Sequence, residues 1–211
     1  MNMKSSKLKS FRLDPTGNVA WSLDDKLLNL SMIGSTAFCY FQALLWKINL
    51  GAGCRFYGVT QFKRYPCSEI SIGKQCGFRS SFRSNFIGLN HACGISTHSK
   101  KAKIKIGASC GFSGAIIGAY ESITIADHVN VGANTVITDF DWHPISRQTK
   151  EMKSAPIVID NEAWIGMNCT ILKGVYIGKG SIIAANSVVT RSIPEMVIAA
   201  GSPARVIREI K

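Results

Sequence analysis

The amino-acid sequence predicts an all-β chain wound as a parallel β-helix, with a partly helical N-terminal extension and a short C-terminal tail. Three observations predict it. The first is a six-residue spacing: Ile159, Ile165, Ile171, Ile177 and Ile183 recur in strict register, and Val189 continues them. An α-helix repeats every ~3.6 residues and a strand every ~2, so neither produces this period. A chain that turns a corner after each short strand does, and three such hexads close one triangular coil. The aliphatic side chain points into the prism, and stacked coils bury a continuous core. The second observation is the tiny residue that follows: Gly166, Gly178 and Ala184, with Gly73, Gly107 and Gly132 upstream. A wider side chain would crowd a tight corner. The third is another small residue four positions after the aliphatic, at Cys76, Cys110, Thr135, Cys169, Ser181 and Ser187.

Taken in order, residues 1–68 form the extension and 69–211 the β-helix domain. Lys4, Lys7, Lys9 and Arg12 make an acid-free basic start, and residues 27–46 carry no charge. Asn29, Ser31, Ser35, Thr36 and Gln42 interrupt that apolar run, and Gly34 weakens it as a helix. A membrane-spanning helix needs about 20 predominantly apolar residues, so this one is marginal. The expectation is a helix packed on the open end of the solenoid, where an exposed core needs a cap. Peripheral membrane contact is the alternative. Ile72 and Phe78 mark the first coil, followed by Ile106 with Phe112 and then by Ile125, Val131 and Ile137. The intervals 84–104 and 113–123 fit the repeat less well and predict an irregular coil or short protrusions. Residues 138–156 lack the repeat and read as a projecting loop.

A length of 211 residues suits one large domain. Seven cysteines raise the question of disulfides. Cys76, Cys110 and Cys169 occupy the small slot of the hexad, as Cys93 does after Leu89, and so read as compact apolar fillers. No signal-peptide pattern opens the chain. A reducing, cytoplasmic protein with free thiols is expected, with a station at the membrane's inner face as the alternative. The net charge is +12, yet no aromatic-interleaved basic motif or recognition helix accompanies it, which argues against nucleic acid. Coenzyme phosphates, a charged glycan or an acidic membrane surface fit better.

Candidate chemistry sits in the loop Thr138-Asp139-Phe140-Asp141-Trp142-His143-Pro144-Ile145. Neutral imidazole at His143 can accept a proton near physiological pH, and Asp139 or Asp141 could orient it. From the loop alone, a histidine that merely hydrogen-bonds is equally open. His91, His98 and His128 invite a zinc reading, but no pair sits at a recognisable ligand spacing, so no metal is expected. Core-facing thiols make poor nucleophiles.

The surroundings of the loop add to this. Ala155-Pro156-Ile157-Val158-Ile159-Asp160-Asn161-Glu162-Ala163-Trp164-Ile165-Gly166 resumes the coil. It runs on through Ile171-Leu172-Lys173-Gly174-Val175 and Asn186-Ser187-Val188-Val189-Thr190, and ends Gly201-Ser202-Pro203-Ala204-Arg205-Val206-Ile207. Over about residues 70–211 this resembles the hexapeptide-repeat acetyltransferases of the sugar and surface-polysaccharide O-acetyltransferase type. The resemblance implies a left-handed coil, a homotrimer and acetyl-coenzyme A as donor, bound in a groove between neighbouring subunits. It implies His143 as catalytic base with Asp141 beside it. For the donor it implies Trp164, Met167, Ala185, Thr190, Arg191 (where the family has Lys), Arg205 and Arg208. Guanidinium groups suit the coenzyme's phosphates. Asp139, Trp142 and Ser113 are the candidates for touching the acceptor, a sugar or glycan that is free or lipid-linked. The region before residue 70 departs from the simple-sugar enzymes, so the acceptor stays open. Acetylation of an amino sugar or antibiotic amine, serine acetylation and a non-catalytic scaffold are the other readings.

Overall fold

The computed structural model describes residues 13–144 and 152–210. Among these the chain visits three faces in strict rotation. The first face holds β1 (Asn49–Leu50), β4 (Glu69–Ile72), β7 (Lys103–Ile106), β10 (Ser122–Ile125), β13 (Ile157–Ile159) and β16 (Tyr176–Ile177). The second holds β2 (Arg55–Tyr57), β5 (Gly77–Arg79), β8 (Gly111–Ser113), β11 (Asn130–Val131), β14 (Trp164–Ile165), β17 (Ile182–Ile183), β19 (Val197–Gly201) and β20 (Ala204–Glu209). The third holds β3 (Gln61–Lys63), β6 (Gly94–Thr97), β9 (Ile116–Ala119), β12 (Val136–Thr138), β15 (Thr170–Ile171) and β18 (Val188–Val189). Pairing is parallel until β20 folds back antiparallel on β19. Up to β18 each strand bonds the strand three places on, so three-sided coils stack, and β17 then pairs with β19. In the last coils the partners are Val158 with Tyr176, Trp164 with Ile182 and Thr170 with Val188, an advance of 18 residues, or three hexads.

The inward residues are those the spacing selects. Ile159, Ile165, Ile171, Ile177, Ile183 and Val189 are each 0% exposed. In the early coils aromatics fill the prism: Phe56, Phe78 and Phe112 stack with centroids 4.8 and 5.0 Å apart and rings nearly parallel. The small slot does more than fill space. Cys54, Cys76, Cys110 and Cys169 donate their thiols to corner carbonyls of the next coil, at Gly73, Gly107, Ala126 and Ala184, over 3.1–3.2 Å. Thr135 does the same to Gly166 at 2.8 Å. The slot therefore selects a residue both small and able to donate. The neighbouring Cys110 thiol, with burial adding to it, pushes the Cys76 thiol up to about 11, which keeps it inert. Cys93 belongs to the same series, two residues before inward-facing Ile95, whereas Leu89 lies outside the core. Corners that need a left-handed residue use Asn134, Asn168 and Asn186, with φ of 60°, 54° and 61°. Asparagine tolerates that region better than most residues.

The coil begins at Asn49, ahead of the boundary expected at residue 69, because β1, β2 and β3 already join the three faces. The stretch 113–123 is regular and contains β9. The interval 84–104 is irregular only up to residue 93, after a 3₁₀ turn at Phe82–Ser84, and β6 then resumes the coil.

Helix α1 (Pro15–Leu45) precedes the coil. Asp14 caps it, accepting from Gly17 N–H at 2.8 Å, and Pro15 supplies a pre-set first turn. Its C-terminal third forms the expected cap. Cys39 and Ala43 are buried. Thr36 Oγ1 accepts from Phe56 N–H at 3.0 Å, and Tyr40 Oη donates to Gly51 O at 2.8 Å and accepts from Cys54 N–H at 3.2 Å. These bonds satisfy backbone groups of the first coil that have no coil above them. The earlier two thirds do not cap anything. Trp21, Leu23, Leu27, Leu30 and Ile33 are all exposed, and α1 is by length and composition long and apolar enough to cross a membrane.

Candidate active site

The predicted site residues fall into two groups on different parts of the prism. One group lies at the corner from the third face to the first, where the loop leaves. The other lies on the outer surface of the second face.

At the corner, β12 ends in Thr138 and the chain departs. Its base is clamped: Ala155 N–H donates to Asp139 O at 2.9 Å, Asp141 N–H donates to Lys153 O at 3.0 Å, and Phe140 pairs with Ser154. The Asp139 side chain is 0% exposed and accepts from the backbone N–H groups of Tyr120 at 2.7 Å and Glu121 at 2.8 Å. Burial pushes its carboxyl above the ordinary range, opposed by those N–H groups. Asp139 is thus a clamp for the neighbouring coil and has no surface to offer an acceptor, contrary to the expectation that it touches substrate. Asp141 pairs with Lys173, and its other oxygen is buried with no hydrogen-bond partner among the described residues.

Trp142 is half exposed. Its indole packs on Phe140 at 4.5 Å and edge-on to His98 at 4.7 Å. The indole lies over Gly118, where an added Cβ would come within 3.3 Å of it. His143 follows, exposed. The loop from 145 to 151 lies outside them. Thr190 and Arg191 are exposed after β18, at the same corner further along the prism. His98 is a member of this corner that sequence reasoning set aside with the metal candidates. Its Nε2 lies 2.8 Å from Ser96 Oγ, and burial followed by the charge of Lys63 lowers its pKa, favouring the neutral ring. Among the described residues no three His, Cys, Asp or Glu side chains gather as a metal site.

On the second face the outward positions of successive strands align. Trp164, Met167 and Ala185 line one groove of about 410 Å³ together with Gly166 and Ala184. A Cβ on Gly166 would sit 2.6 Å from Ala185 N, so the floor is held low by glycine. Ser113 lies on the groove's rim. Arg205 pairs with Ala200 and Arg208 with Ile198, the outward positions of β19, so both guanidinium groups stand at the C-terminal end of this face. The result is an exposed apolar channel with cations at one end. Such a channel suits an extended ligand with a flexible apolar arm and a phosphate head.

Sequence comparison agrees with this geometry. Residues 156–191 match the bacterial transferase hexapeptide family (six repeats). The chain is 44% identical over 102 residues to the galactoside O-acetyltransferase of Escherichia coli K12, covering 47% of this chain and 49% of that one. It is 36% identical over 86 residues to a 2,3,4,5-tetrahydropyridine-2,6-dicarboxylate N-acetyltransferase of Staphylococcus aureus, covering 41% and 33%. The chain thus spans about half or less of the length of these relatives. A hexapeptide-repeat acetyltransferase of Vibrio cholerae, solved with acetyl coenzyme A, aligns with TM-score 0.53 and 25% identity over 94% of this chain and 91% of that one. In its repeat over residues 156–191, in architecture and in sequence, this chain is similar to the hexapeptide-repeat acetyltransferases.

Proposed function

We propose that the protein is an acetyl-coenzyme A-dependent O-acetyltransferase that acetylates a hydroxyl of a sugar, as a left-handed β-helical homotrimer. The observation that carries the reading is the separation of the two groups. His143 and Trp142 stand at one corner of the prism, while the channel of Trp164, Met167, Ala185, Arg205 and Arg208 runs on the second face. Two neighbouring copies bring the corner of one chain to the channel of the next.

In this reading Arg205 and Arg208 hold the donor's phosphates, and the small-residue floor admits its pantetheine arm. Thr190 and Arg191 approach from the other subunit's corner. His143 takes the acceptor's hydroxyl proton as the oxygen bonds to the thioester carbonyl carbon. A backbone N–H stabilises the oxyanion. Collapse breaks the carbon–sulfur bond, and the thiolate recovers the proton from His143. The products are an O-acetyl sugar and free coenzyme A, with no covalent enzyme intermediate. The unpartnered oxygen of Asp141 is the acceptor for the far N–H of the imidazole, and Trp142 offers an aromatic face to the sugar ring.

The similarity to an N-acetyltransferase supports a second reading, in which the acceptor is an amine. One experiment separates the two. Acetyl transfer is measured by mass spectrometry on matched sugars that carry either a hydroxyl or an amine at each position. Turnover on hydroxyl acceptors that falls at least about a hundredfold in His143→Ala is expected. Turnover confined to amines, or unchanged in His143→Ala, would overturn the proposal.

A further inference from the structure

The second face continues past Trp164 in the direction opposite to Arg205 and Arg208. There it forms a second trough of about 520 Å³, contiguous with the donor channel through Ser113, Gly132 and Trp164. Arg55 and Arg79 stand at its far end, diagonal neighbours on β2 and β5. Its floor is Gly77 and Gly111. An added Cβ on Gly77 would meet nothing within 4 Å, and one on Gly111 would strike Asn130 Oδ1 at 2.7 Å. No acidic side chain lines the trough among the described residues.

The two arginines are held differently. Arg79 lies over the Tyr57 ring at 4.8 Å and donates to Ser84 O, so its guanidinium is fixed in place. Arg55 is exposed, and its guanidinium has neither a hydrogen bond nor an ion pair among the described residues. At ~4.8 Å per strand, Arg79 and Arg205 each stand three strands from β14, or ~14 Å on either side of Trp164. The face therefore carries a cation pair at each end of an uncharged middle. A donor gripped at the Arg205 end leaves the Arg55 end to the other substrate.

We infer that Arg55 and Arg79 form an anion subsite that binds a phosphate or diphosphate group on the acceptor. This inference rests on the donor reading above. The acceptor is then a glycosyl phosphate, whether nucleotide- or lipid-linked, rather than a neutral free sugar. Planar guanidinium groups pair with phosphate oxygens two at a time, and Arg79 is already restrained by the Tyr57 ring and Ser84 O.

Calorimetric titration of the intact protein with inorganic pyrophosphate tests this, with and without saturating coenzyme A. Wild-type protein binds pyrophosphate in both conditions. Arg55→Gln weakens pyrophosphate at least about tenfold and leaves coenzyme A affinity within about twofold; Arg205→Gln does the reverse. Circular dichroism checks that Arg55→Gln, which removes no bond, keeps the fold. If coenzyme A abolishes pyrophosphate binding, or if Arg55→Gln weakens coenzyme A equally, the arginines serve the donor's phosphates and the inference fails. No pyrophosphate binding also overturns it. Failure of coenzyme A to bind, with pyrophosphate binding still dependent on Arg55, would sink the donor reading and leave the anion subsite standing.

Discussion

If each site is built from two chains, two inactive variants complement each other. One variant is His143→Ala, which removes the base at the corner. The other carries Arg205→Gln and Arg208→Gln together, which strips the cations from the second face. Loss of a general base costs ~10²–10⁴ in rate. Two charge-assisted hydrogen bonds at about 1.5–3 kcal/mol each correspond to a similar loss in kcat/KM at low donor concentration. Each pure variant therefore retains about 1% of activity or less. When the two are co-refolded at equal concentration, half of the corners carry His143 and half of the second faces carry both arginines. In a closed ring every interface joins one corner to one face, so about one quarter of sites receive both intact halves.

The assay is coenzyme A release at donor concentrations below KM, before and after denaturing and mixing. Recovery of about a quarter of wild-type activity is expected, at least about twentyfold above either variant alone. Activity equal to the average of the two pure variants would show that one chain holds the whole site, and would refute the division of the prism into donor face and catalytic corner.

Three further outcomes follow from the contacts. Tyr40→Phe deletes two hydrogen bonds to the first coil, with Gly51 O and Cys54 N, and should cost about 2 kcal/mol, or about 4–8 °C in Tm for a domain of this size; an unchanged melting curve would remove the capping role from α1. Asp139→Asn turns an amide N–H against a backbone N–H of Tyr120 or Glu121 and should cost about 2 kcal/mol with acceptor KM unaltered. Because burial raises the folded carboxyl, wild-type stability falls as pH climbs through the window just above the ordinary aspartate value, and the variant lacks that slope. We also propose that the exposed two thirds of α1 rests on an anionic membrane surface: the intact protein should float with phosphatidylserine vesicles at low salt, and Trp21→Ser with Leu30→Ser should abolish this while keeping Tm.

Much of the coil was legible because one physical demand repeats. Every sixth residue must enter the prism, so the isoleucines from Ile159 to Ile183 announce the strands. The start of the coil was harder to see. In the first coils Phe56, Phe62 and Phe78 replace isoleucine, and spacing is broken by the protrusion around Phe82–Ser84. The asparagines at 134, 168 and 186 were a signal left unread, since each marks a left-handed corner. At the site, the loop's sequence exposed His143 and Trp142 but could not reveal that Asp139 turns inward. An aspartate beside a histidine looks the same whether it meets solvent or two buried N–H groups. His98 escaped because its importance lies in packing against Trp142, a residue on the next coil but one.

The fold itself accounts for the division of chemistry that we propose. A triangular coil spends its inward positions on a packed core, and each short strand leaves one or two side chains facing out. A binding surface can then be assembled only as a column of outward residues from stacked coils. Such a column is narrow and straight, which favours an extended ligand. It can be made smooth by choosing Gly166, Ala184 and Ala185, and charged at its ends by choosing Arg55, Arg79, Arg205 and Arg208. What a column cannot do is fold over its ligand. A base that must reach the reacting atoms from above has to stand on an excursion from the coil, and the excursion here leaves from a corner that looks away from the column. In the proposed homotrimer a second copy supplies the wall that a single prism lacks. In the function we propose, the same geometry orders the substrates along one line, with a donor anchored at one end, an anionic acceptor anchored at the other, and their reacting ends meeting near Trp164 beneath a neighbour's His143.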